Sequence, residues 1–194
     1  MREAAPPRTA SLPAVSVPPP AADTPAGLSV SWQLGQAQAL YAPTAQPGGA
    51  CWLVLAETPA SALQSRVFEG DAGRLLDNML RAARLNQAGA VLFTPLVRHA
   101  DARTTEEFLA ALSALVAHAQ PDVVLVMGRL AALALLPSGE PFGKLRGRVH
   151  ALQGAKTIVT YDAAYLLRTP ADKARAWDDL CLAMSLTAGA AARA

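Results

Sequence analysis

From Cys51 onward the chain alternates short, almost wholly apolar runs with longer segments whose apolar residues recur at helical spacing. "CWLVLAE", "AVLFTPL", "DVVLVMG" and "TIVTY" read as strands, because runs this short and this apolar are buried on both faces. Between them, Asp71 to Leu85 reads as a helix with Leu75, Leu76, Met79, Leu80 and Ala83 on one stripe. Glu106 to Ala119 reads as a second, with Phe108, Leu109, Leu112, Leu115 and Val116 on one face. "RLAALALL" is a short third helix, and Ala171 to Leu186 closes the series. This order predicts a three-layer α/β sandwich with a mostly parallel four-stranded sheet around Leu53, Leu92, Val124 and Val159. In such folds the ligand crevice lies at the C-terminal ends of the strands. Those ends are Ala56 to Pro59, Thr94 to Arg98, Gly128-Arg129 and Tyr161 to Ala164.

The 194 residues suffice for one domain with a proper core, and the flanks set its limits. Residues 1–29 are rich in Pro and Ala and cannot bury enough surface to offset the entropy of ordering. They are expected to be a disordered or polyproline-like tether, with 30–187 as the domain and 188–194 as a flexible C-terminus. Arg2 and Glu3 lead into prolines, so a secretory leader is not expected. Arg129 interrupts the longest apolar run, so no membrane span is expected either. Cys51 and Cys181 fall at or in core elements, which implies buried reduced thiols and a cytoplasmic protein. Lys144, Arg146, Arg148 and Lys156 occur with no acid between Pro141 and Tyr161. That patch is either a phosphate-binding surface or a solvated basic loop.

Three segments, in order and at matching spacing, carry a resemblance. "FEGDAGRLLDNML", "PDVVLVMGRLAALALL" and "GKLRGRVHALQGAKTIVTYDAAYLLRTPADKARAWDDL" resemble the uracil-DNA glycosylase superfamily, closest to the bacterial iron–sulfur group called family four. The resemblance runs from about Trp52 to Leu186 and implies a scaffold that flips a nucleotide out of DNA into a pocket at the strand ends. Cleavage in such a pocket needs a group that handles water, a donor for the departing uracil anion, an amide that reads the base edge and an aromatic that stacks on it.

Against that pattern the chain departs at several points. Ala56-Glu57-Thr58-Pro59-Ala60 stands where the family has Gly-Glu-x-Pro-Gly, so Glu57 keeps the water-handling position while both glycines are lost. The segment that follows is about two residues short, and the family's acidic pair is missing. Phe68 keeps the position of the stacking aromatic, or else plugs the core. Pro95 replaces the asparagine that reads uracil, and it has neither side-chain donor nor acceptor. The family's His-Pro-Ala-Tyr-Leu-Leu-Arg is here Asp162-Ala163-Ala164-Tyr165-Leu166-Leu167-Arg168. Asp162 therefore stands where a donor should meet the leaving anion, and a carboxylate repels it. The retained hook seats the turn, and Arg168 faces backbone carbonyls or phosphate. The family's cluster cysteines are absent: His99 and Phe108 occupy two of the places, and Cys51 and Cys181 are elsewhere. No iron–sulfur cluster, other metal or cofactor is expected.

The implied function is a glycosylase-like protein of DNA repair or replication that binds DNA through Lys144, Arg146, Arg148 and Arg168 and has lost ordinary uracil excision. Two alternatives stand beside it. One is an active glycosylase with a different base preference, using Glu57 and Asp162. The other is a clamp-loader subunit, because "SVSWQLGQAQALY" before "CWLVLAETP" resembles the tail, tryptophan segment and first strand of the DNA polymerase III psi subunit. In that case the N-terminal arm, either the proline-rich tail or the segment around Trp32, would bind a replisome partner.

Overall fold

The computed structural model describes residues 31–42, 49–63, 65–99 and 105–187. The expected tail and C-terminus lie outside them, so the assignments for 1–29 and 188–194 fall outside the described residues. Seven strands and six α-helices follow in order: β1 Ser31–Leu34, β2 Gln38–Ala39, β3 Cys51–Glu57, α1 Gly70–Ala82, β4 Ala90–His99, α2 Thr105–Ala119, β5 Val123–Met127, α3 Arg129–Leu135, α4 Phe142–Leu145, β6 Val149–Leu152, β7 Ala155–Thr160, α5 Ala163–Arg168 and α6 Lys173–Thr187. Among these residues no helix is long and apolar enough to cross a membrane.

The sheet runs β1-β4-β3-β5-β7-β6, with β2 paired to β4 off this path. Its centre is the expected set: β4, β3, β5 and β7 are mutually parallel, with Leu53 opposite both Leu92 and Val124. The expectation of four strands is corrected at the edges. β1, β2 and β6 add antiparallel to this core, making seven strands among the described residues.

Strand alternation divides the core into two layers. On one face Trp52, Val54, Val123, Leu125 and Ile158 meet Leu76 and Leu80 of α1 and Leu180 and Ala183 of α6. On the other, Leu53, Leu55, Val124, Val126 and Val159 meet Phe108, Leu112 and Val116 of α2 and Ala131, Ala132 and Leu135 of α3. Helices on both faces of a parallel sheet give the three-layer sandwich. Two expectations fail locally. Leu109 is 42% exposed, because the apolar stripe of α2 is narrower than its apolar content. Cys181 lies on the exposed side of α6, and only Cys51 is half-buried, its thiol donating to Ala119 O at 3.4 Å.

Trp32 sits in β1 opposite Arg98 and packs against the α2–α3 layer. It is half-buried at the sheet edge.

Candidate functional site

At the C-terminal ends of β3, β5 and β7 the chain leaves the sheet in three directions and opens a cleft of about 450 Å³. That volume lies in the range of small-molecule sites. Glu57, Pro95 and Asp162 all line it.

Gly128, the residue after β5, brings the first and last of these together. Its φ of +114° is open to glycine and strained for other residues. A Cβ there would lie 2.9 Å from Glu57 Cβ and 3.8 Å from Asp162 Cβ. The side chains of Glu57 and Asp162 therefore leave the backbone on either side of Gly128. Its N–H continues the ladder by donating to Thr160 O at 3.0 Å.

Each carboxylate is held by backbone. Glu57 is half-buried at the end of β3, and its Oε2 accepts from Leu130 N at 3.2 Å. The turn after β7 contains a short helix, α5, with Asp162 as its N-cap. Asp162 Oδ1 accepts from Tyr165 N at 2.7 Å, satisfying one of the orphan donors of the first turn. Aspartate is among the best residues for this task, which gives its presence a local structural reason.

Pro95 lies inside β4, in register with Ala56 of β3. Just past the end of β1, Pro95 O accepts from Gly35 N at 2.8 Å. A Cβ on Gly35 would sit 2.5 Å from Pro95 Cγ, so the glycine makes room for the ring. The ring joins Ala56, Phe93, Met127, Leu76 and Ala163 in an apolar wall.

Phe68 does not join this constellation. Its ring stacks on Tyr41 with centroids 5.7 Å apart, and it lines an adjoining depression that shares Gln38, Arg66, Val67 and Glu69 with the cleft. Tyr41 is fixed in turn, donating from its hydroxyl to Asp77 Oδ1 at 2.8 Å with Arg81 over its ring. Burial, and then the bond to Asp77, hold its hydroxyl well above the usual tyrosine range.

The basic residues separate into exposed and ion-paired. Lys144 and Arg168 are exposed at the ends of α4 and α5. Arg148 pairs with Glu140, which its guanidinium holds below the usual carboxylate range. Arg146, expected among the DNA contacts, is held within the fold: its side chain is 10% exposed and forms an ion pair with Asp179 at 2.7 Å. Asp179 also accepts from Gly147 N at 3.1 Å, and burial pushes its carboxyl above the ordinary range.

Arg146 further stacks over Tyr161, 4.1 Å from the ring centroid, and Tyr161 stacks on Tyr165 at 4.8 Å. Tyr165 supplies the N–H that Asp162 caps and donates its hydroxyl to Asp172 at 2.7 Å. A column of contacts thus runs from the buried Asp179 to the Asp162 turn. Sequence reasoning missed it because its members come from α4, α6 and the end of β7. The near-adjacent aromatics Tyr161 and Tyr165 were the available signal.

His99 closes β4, but its side chain lies outside the described residues, and Phe108 is in the core. Among the described residues no group of three His, Cys, Asp or Glu could hold a metal ion.

A family model described as the uracil DNA glycosylase superfamily matches residues 43–181. No curated protein matches the chain.

Proposed function

The chain belongs to the uracil-DNA glycosylase superfamily, and from that premise we propose that it is a DNA-binding repair or replication protein in which ordinary uracil excision has been lost. The observation that carries this reading is the shared cleft of Glu57, Pro95 and Asp162. Uracil presents two carbonyl oxygens and an N–H, and its departure leaves an anion. Pro95 offers neither donor nor acceptor to the base edge. Asp162 offers an acceptor where a donor is needed, and its Oδ1 is already held by Tyr165 N. Electrostatic stabilisation of the leaving group contributes a factor of about 10² to 10³ per donor, and an opposing carboxylate reverses the sign.

Glu57 still has the chemistry to orient water, and the apolar wall still has room for an extracted base. Backbone recognition falls to the exposed Lys144 and Arg168, because Arg146 and Arg148 are occupied by Asp179 and Glu140.

The test is incubation of the full chain with single- and double-stranded oligonucleotides bearing one uracil, followed by alkaline cleavage and by anisotropy of the intact strand. Bound but uncleaved DNA is the expected outcome. Catalytic uracil release would overturn the reading.

A further inference from the structure

The two carboxylates at the head of the cleft each spend only one oxygen on the backbone. Glu57 Oε2 accepts from Leu130 N, and Asp162 Oδ1 accepts from Tyr165 N. Among the described residues, Glu57 Oε1 and Asp162 Oδ2 receive no protein donor.

The rest of the inner wall is hydrocarbon from Ala56, Leu76, Phe93, Pro95, Met127 and Ala163. Thr58 supplies a hydroxyl, but it is committed to Ala56 O at 3.0 Å. Other polar lining side chains, including those of Gln38, Arg66 and Glu69, are exposed. A ligand seated against the strand ends therefore meets the two carboxylates and hydrocarbon, while the side-chain donors of the cleft, Gln38, Ser65 and Arg66, stand exposed to solvent. The low polarity of that wall strengthens any interaction with charge.

This arrangement is matched to a base with the opposite polarity from uracil. Carbonyl oxygens brought against Glu57 and Asp162 are repelled, whereas an exocyclic amine donates and a delocalised positive charge is attracted. We propose that, on the premise above that the cleft receives an extracted base, it selects a cationic, amine-edged base such as an N-alkylated pyrimidine or purine over neutral uracil.

3-Methylcytosine and 3-methyluracil make a sharp pair of probes. They share nearly one outline, but the first is a cation with an exocyclic amine and the second is neutral with a carbonyl in its place. Oligonucleotides identical except for one central 3-methylcytosine, 3-methyluracil or uracil residue would be titrated with the full chain at fixed salt.

A single charge-assisted hydrogen bond corresponds to at least about tenfold in affinity, so the 3-methylcytosine strand should bind at least about tenfold tighter than its isostere. The preference should shrink in Glu57→Gln and vanish in Glu57→Gln/Asp162→Asn. Asparagine keeps the N-cap of α5, and thermal melting checks that the variant is folded. Equal binding of the two isosteres by wild type overturns the proposal, and this comparison requires no variant. A preference that persists undiminished in a folded double variant also overturns it.

The outcomes separate this idea from the reading it rests on. Equal, tight binding of every strand removes the base preference and leaves a DNA-binding protein. Catalytic release of uracil removes the earlier reading whatever the isosteres show.

Discussion

Replacing Asp179 with alanine tests whether Arg146 is a structural group or a DNA contact. Asp179 is 1% exposed and Arg146 10%, and their bonds are 2.8 Å from Nε and 2.7 Å from Nη2. Removing one member of a buried pair leaves the other charge without a partner, at about 3–5 kcal/mol. Asp179→Ala also orphans Gly147 N–H, adding about 1 kcal/mol. Arg146→Met leaves the carboxylate with Gly147 N–H and removes the contact over Tyr161, itself worth about 1 kcal/mol.

The Arg146→Met deficit should depend on pH. The Asp179 carboxyl, already raised mainly by burial, rises further without its cation. A carboxyl whose folded pKa exceeds its unfolded value binds its proton more tightly when folded. Stability is therefore lost as pH rises from the unfolded value through the folded one. Urea unfolding should show Arg146→Met closer to wild type in mild acid than at neutral pH. Arg146→Met/Asp179→Ala leaves no unpaired charge, so its cost should fall below the sum of the singles by at least about 2 kcal/mol. Simple additivity, or an Asp179→Ala cost under about 1 kcal/mol by the same assay, would refute the structural assignment.

Two further outcomes are expected. Asp162→Ala should lower stability by about 1 kcal/mol, while Asp162→Asn should stay within a few tenths, as thermal melts would show. In DNA binding measured against salt, Lys144→Ala and Arg168→Ala should each reduce the slope of log affinity by about 1, whereas Arg148→Ala should change it less because Arg148 already faces Glu140.

The four parallel strands were legible because burial on both faces leaves no polar position in "VVLVM" and almost none in "CWLVLAE". The edge strands were not, since "SWQL" and "VHAL" pair on one side only and mix polar with apolar residues. Strand ends and motif order placed Glu57, Pro95 and Asp162 in one cleft. Of the two places open to Phe68, the structure takes the one against the core, where it stacks on Tyr41 of an irregular segment with no periodicity to read. Arg146 looked like one member of a basic run, and the acid that claims it stands on a helix 33 residues away. Pairings of that range are set by tertiary packing and leave no local trace.

The central claim is that Pro95 and Asp162 together silence uracil excision. Single-turnover uracil release from one oligonucleotide, compared between wild type and Pro95→Asn/Asp162→His, tests it most directly. The double variant restores an edge-reading amide and a donor for the leaving anion, although the histidine caps α5 less well than the aspartate does. The account predicts no release by wild type and measurable release by the double variant. Robust release by wild type would contradict it.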